Sequence, residues 1–416
     1  MLTPAPLLLV AFALHAQSAD FLLLGKDHAK FARELYEAGY VELAETLCTR
    51  IENSPNADPA EVASVRSVHL DLKIAQARTQ KDPRAKLTAM TQLLKQKEEF
   101  IEAYPDAPEA RDALQTLPDV YAAVGEAFAE AVKAVQEDPG EAKRLRAEGS
   151  DIFRRGEAAL ADQVEQLTAA ADEPDLPPEQ AEAIDLDLMA AKYNLARTFF
   201  FHATLLGKDD PFGETFLDRS IDAFEEFGLL YSDRLLYFEG QVFQGQAHAA
   251  KGETDDALAS FDECIGLKDT FGEDEPMPAV TIQVVAWGIQ KKIELLTELK
   301  RYEDAIATAD DFLETVPGAA ATRHDLAVLD ARMTAEVASG DSAAAQATAQ
   351  LLVDKDPNGW YGDRGQAILG NLVASGSAGG LGQKNLLKIA QSLAAKKDYE
   401  QALKLAHQAI AASRSA

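Results

Sequence analysis

KGETDDALASFDECIGLKD, Lys251–Asp269, reads as one turn followed by one amphipathic helix. The pattern returns as LKRYEDAIATADDFLETVPG (Leu299–Gly318), SGDSAAAQATAQLLVDKDPNG (Ser339–Gly359) and KKDYEQALKLAHQAIAASRSA (Lys396–Ala416). Each copy has a Gly or Lys turn and then a small residue: Ala257, Ala305, Ala345 or Ala402. A second small or apolar residue follows four positions on (Phe261, Ala309, Ala349, Ala406), and a third three beyond it (Cys264, Phe312, Leu352, Ala409). Offsets of four and three share one helix face. The first residue must be small because a neighbouring helix crosses closest there. The later two plug the seam to the next unit. Self-similarity of this kind signals a repeat architecture.

A second apolar helix precedes each copy, at Phe238–Lys251, Ala286–Leu299, Asp325–Ser339 and Asn385–Lys396. Such a pair cannot bury its apolar face alone, so stacked neighbours complete the core. These residues resemble the tetratricopeptide (TPR) family, with small residues at fixed places and Pro317 and Pro357 at unit ends. Asp269 stands at that place in the first copy, and Gly245 is the one good match to the glycine of the first helix. The key alanines are 48, 40 and 57 residues apart, so insertions interrupt the family's period of about 34. The resemblance implies an all-α fold: a right-handed α-solenoid of stacked antiparallel helix pairs with long inter-repeat insertions.

Leu7–Leu14 is a short apolar run, and Ala16-Gln17-Ser18 a small-x-small cleavage site, so residues 1–19 read as an export signal. The run is too short to span a bilayer. Its lack of Lys or Arg leaves an apolar first helix as the other reading. With a net charge of −29, the chain repels nucleic acid and anionic lipid and suits a basic or neutral partner. Cys48 and Cys264 fall on the inward faces of second helices and are expected to be buried thiols.

His28–Asn53 has the form of a further unit, with Ala44, Cys48 and Ile51 in the key positions. Helix pairs follow at Pro59–Arg78 with Pro83–Ala103, and Pro108–Glu137 with Gly140–Ala171. The stretch DEPDLPPE, 172–179, with three prolines and four acids, is expected to separate a 20–171 helical region from a 180–416 array. Gln180–Leu206 and Thr215–Tyr231 begin that array. The region 199–243 is dense in aromatics, read as core packing or as a partner groove. Three consecutive phenylalanines, Phe199–Phe201, cannot all face one side of a helix, and Phe200 is offered as outward-facing.

Motifs for chemistry are weak. Asp354–Gly359 imitates the start of an EF-hand loop, but Gly365 stands where a bidentate Glu belongs, so a repeat terminus is expected. Gly376–Gly382 lacks the spacing of a phosphate loop and reads as a hinge. The acidic loop 272–275 reads as solvated. No GxSxG, HExxH or CxxC occurs, and the seven histidines are scattered. Neither catalysis nor a cofactor or metal is expected.

What remains is binding. In the TPR family the first helices line a concave groove that holds a peptide or protein segment. Carried over, the groove positions are Glu239, Val242, Gln246 and Ala249, then Trp287, Gln290, Glu294, Thr297 and Glu298, then Asp330 and Thr334, then Lys384, Leu387 and Gln391. Trp287, Gln290 and Glu294 share one helix face. The Lys/Asn set with which TPR chaperone adaptors clamp a C-terminal carboxylate is missing. The leading expectation is an exported, periplasmic interaction scaffold. The alternative is a small-ligand or divalent-cation-binding protein using the aromatic region 199–243 or the acidic loops. A pocket of converging polar groups near Phe199–Phe216 favours the alternative, and an open groove the scaffold.

Overall fold

The computed structural model describes residues 27–375 except 136, 175, 208–209, 272–275, 317 and 358, and then 386–387, 390–391, 394 and 399–415. The run Leu7–Leu14, the loop 272–275, the glycine stretch 376–382 and Lys384 lie outside the described residues. Among the described residues every regular element is helical. They fall into two compact units divided after Gly213.

The first unit holds α1 (His28–Glu37), α2 (Val41–Glu52), α3 (Pro59–Arg78), α4 (Pro83–Ala103), α5 (Pro108–Ala134), α6 (Pro139–Ala171) and α7 (Pro178–Leu206). Proline opens α3 through α7, where its missing N–H is no loss and its fixed φ suits the helix. Asp27, Asp58, Asp82 and Asp138 accept backbone N–H bonds at the starts of α1, α3, α4 and α6, satisfying orphan donors. The hairpins α1–α2, α3–α4 and α5–α6 stack, and α1, α3, α5 and α7 also pack in series. First helix on first helix, hairpin after hairpin, is how a solenoid buries a core that no hairpin buries alone. Of the acidic, proline-rich stretch 172–179, Pro178 and Glu179 belong to α7, and α6 and α7 pack against each other. Pro178 opens α7, which returns onto the same core as α6.

The second unit holds all but the first turn of α8 (Pro211–Tyr231), then α9 (Leu235–Lys251), α10 (Thr254–Gly266), α11 (Ala279–Glu298) and α12 (Tyr302–Thr315). The short α13 (Gly318–Thr322), α14 (Asp325–Ser339), α15 (Ser342–Lys355), α16 (Trp360–Ala374) and α17 (Tyr399–Ser415) follow. The hairpins α9–α10, α11–α12 and α14–α15 stack, with α9, α11, α14 and α16 touching in series. The TPR-like register holds. Ala257, Ala305 and Ala345 are fully buried, as are Cys264, Phe312, Leu352 and Ala409, and Ala44, Cys48 and Ile51 in α2.

One turn is used five times among the described residues, the fifth at Arg323 (φ 63°) between α13 and α14. Gly39, Gly252 and Gly340 have φ of 84°, 83° and 84°, and Lys300 takes their place in α11–α12 with φ 61°. Each donates its N–H to the carbonyl three residues back, and the next residue donates to the carbonyl five back, as in Gly252 to Ala249 and Glu253 to His248. This left-handed cap satisfies the last carbonyls of the first helix. Two stretches left outside the repeats are helical. α11 begins at Ala279 rather than Ala286, directly after Pro278. α16 occupies a stretch read as insertion; Gly365 lets it press on α15, since a Cβ there would lie 2.5 Å from the Ala349 carbonyl oxygen.

Candidate functional site

The first helices α9, α11, α14 and α16 form one layer of the second unit. On α11 the positions Val285, Ile289, Ile293 and Leu296 are buried, whereas Trp287, Gln290 and Glu294 are half-buried and Glu298 is exposed. Gln290 Nε2 donates to Glu294 Oε1 at 2.8 Å, and Lys291 Nζ to its Oε2 at 2.7 Å. The Trp287 indole meets Phe243 of α9 edge-to-face, with centroids 4.9 Å apart at 77°. One side of the ring is thus fixed across the seam between first helices, and part of it stays accessible. Glu239 and Gln246 on α9 are half-buried, and Gln246 Nε2 donates to the Val242 carbonyl at 3.3 Å. Val242 itself is a core residue beside Phe261 and Cys264, not a groove residue.

Trp360, which no sequence argument singled out, is the more open indole, 61% exposed at the first position of α16. It packs edge-on against Tyr361, 4.9 Å away, and the Arg364 guanidinium lies 5.5 Å over its ring. Arg364 also donates to Asp330 Oδ1 at 2.7 Å and to Thr334 Oγ at 3.2 Å, two of the groove positions expected on α14. The signal was present as a turn, Pro357-Asn358-Gly359, followed by apolar positions at helical spacing. Leu387 and Gln391 are exposed.

Phe200 does not join this layer. It belongs to the first unit and is buried, 9% exposed. α7 packs on both α5 and α6, so it carries two apolar faces, and successive phenylalanines find cover. Phe201 is the half-exposed member, with the Arg197 guanidinium 5.9 Å over its ring. The aromatic region 199–243 is mainly core: Phe224, Phe227, Tyr231 and Phe243 are buried, and Phe224 stacks on Phe243 at 6.0 Å.

The EF-hand-like stretch is a repeat terminus in its contacts. Asp356 is buried, accepts from Arg323 Nη2 at 2.6 Å and takes the Tyr361 N–H at 3.1 Å, tying the start of α16 to the preceding turn. Asp354 accepts from Gln350. His248, Glu253 and Asp256 bring ligand atoms within 4.8 Å of one another, a geometry open to a cation. Lys251 Nζ already lies 2.6 Å from Glu253 and 2.8 Å from Asp218, supplying positive charge there. Burial pushes the Cys48 and Cys264 thiols up to about 12, with Glu52 adding to the effect at Cys48. No helix among the described residues is long and apolar enough to cross a membrane.

No protein-family profile matches the chain, and no curated protein sequence does. Among solved structures it is similar to a Rap protein complexed with competence and sporulation factor, at 11% identity and a TM-score of 0.32, covering 93% of this chain and 97% of that one. It is also similar to a signal-transduction ATPase with a tetratricopeptide repeat sensor from Pyrococcus horikoshii, at 11% identity, TM-score 0.37, covering 83% and 54%. A third similarity is to the P58(IPK) TPR domain, at 14% identity and TM-score 0.23, covering 93% and 98%. These superpositions are distant, and the fold assignment rests on the helix order, packing and register described above.

Proposed function

We propose that the second unit is a protein-interaction scaffold that holds a peptide or protein segment along α9, α11, α14 and α16. One observation carries this reading. The chain's two tryptophans both stand in that layer, each with one part of its ring fixed and the rest accessible. Tryptophan is favoured at binding hot spots because it covers much area with few rotors. Glu239, Glu294 and Glu298, with the net charge of −29, make a basic or neutral segment the fitting partner. The role proposed for this layer is binding without catalysis. A place in the cell envelope belongs to the proposal and rests on Leu7–Leu14 alone.

The test is selection of a displayed random-peptide library on the full chain and on the Trp287→Ala/Trp360→Ala variant. Peptides that are basic or neutral and carry an apolar anchor should be enriched on the wild type and lost on a variant that keeps its helical circular dichroism. Equal enrichment on both proteins would overturn the assignment.

A further inference from the structure

The first unit carries a different kind of site. Lys143, Arg146, Ser150 and Arg154 recur along α6 at helical spacing and share one face. With Leu206 and Gly207 at the end of α7, and Asp210 and Pro211 at the start of α8, they line a pocket of about 530 Å³. That is the size of a small-molecule site. Its charge runs against the rest of the chain. Among the described residues no carboxylate pairs with Lys143, Arg146 or Arg154, whereas their neighbours are engaged: Arg144 with Glu141 and Glu148, and Arg155 with Glu98. The one acid among the described lining residues, Asp210, turns an oxygen to the Phe212 N–H at 2.9 Å.

A hydrogen-bond relay sets the direction of the Ser150 hydroxyl. His202 of α7 is 1% exposed and stacked on Phe153, with centroids 5.2 Å apart. Its Nδ1 lies 2.6 Å from Glu157 Oε1, and its Nε2 lies 2.7 Å from Ser150 Oγ. A carboxylate only accepts, so Nδ1–H donates to Glu157; in the Nδ1–H tautomer that this bond selects, Nε2 accepts from the Ser150 hydroxyl. The serine oxygen is left with lone pairs for the pocket. The wall therefore offers guanidinium and ammonium donors to an anion, and beside them one acceptor for a ligand hydroxyl.

We propose that this pocket binds a small organic phosphate, its oxyanion held by Arg146, Arg154 and Lys143 and an adjacent hydroxyl donating to Ser150. Guanidinium forks match phosphate geometry, and charge-assisted bonds are the strong ones. The pocket has room for a ligand larger than the phosphate group alone. No activity is assigned to it.

Titration calorimetry on the full chain with glucose 6-phosphate, inorganic phosphate and glucose tests this. Glucose 6-phosphate should bind more tightly than inorganic phosphate, and glucose should give no heat. Arg146→Ala/Arg154→Ala, at two exposed positions, should weaken both phosphates by about tenfold or more. Ser150→Ala should bring glucose 6-phosphate down toward inorganic phosphate and leave the latter unchanged. Equal affinity for the two phosphates, no heat from either, or full binding by the double variant would overturn the proposal. So would sedimentation with phosphatidic acid vesicles by a protein that ignores glucose 6-phosphate.

Discussion

Replacing Lys300 by glycine is expected to stabilise the second unit. Lys300 turns the α11–α12 hairpin at φ 61°, the place held by Gly39, Gly252 and Gly340 in three other hairpins. A residue with a Cβ in the left-handed region costs about 1–2 kcal/mol. The greater freedom of glycine in the unfolded chain offsets about 0.5–1 kcal/mol of that gain. Lys300 is exposed and, among the described residues, makes no ion pair, so removing its side chain forfeits little. The net expectation is a gain of about 0.5–1 kcal/mol, or a rise of about 1–4 °C in Tm for a unit of this size. Gly252→Ala and Gly340→Ala are the converse. An added Cβ at either meets nothing within 4 Å, so backbone conformation alone sets a loss of about 1 kcal/mol. Scanning calorimetry of all three variants decides it. A Lys300→Gly protein melting at or below wild type, with Gly340→Ala unchanged, would refute the equivalence of these turns.

Ala305→Leu should overpack the fully buried crossing of α12 and lose about 1–3 kcal/mol in urea denaturation. Cys48 and Cys264 should resist Ellman's reagent at neutral pH in the folded chain and react once it is unfolded in guanidinium. The ordinary thiol value is 9.0 and the folded value about 12. The unfolded chain therefore releases these protons first, and the stability they contribute is complete below pH 9 and falls as pH rises toward 12. Cys48→Ala/Cys264→Ala should flatten that alkaline slope. N-terminal sequencing of the native protein should begin near Ala19 or Asp20; an intact Met1 would remove the export reading.

The alanine register was legible because a closest crossing admits only a small side chain, and that demand recurs at Ala257, Ala305 and Ala345. That Trp287, Gln290 and Glu294 share one face of α11 follows from helix period alone, whereas what that face binds is not written in any spacing. Phe200 was misread because a helix packed on two neighbours buries two faces, and periodicity against one face does not reveal the second. The Ser150–His202–Glu157 relay was beyond reach. Its bonds join residues 52 and 45 positions apart, so no local spacing marks them, and histidine 202 looked as solitary as the others.

Each hairpin of the second unit packs mainly on its neighbours, so segments of the array can open with their own free energies. A segment lying across α11, α14 and α16 would touch three of these steps at once. It would have to leave before any of them opened, and so would bind the folded array at the expense of every partly open form. Occupancy would then turn a graded sequence of openings into a single concerted one. Amide hydrogens of α11, α14 and α16 would slow together, to a common rate, when the layer is filled.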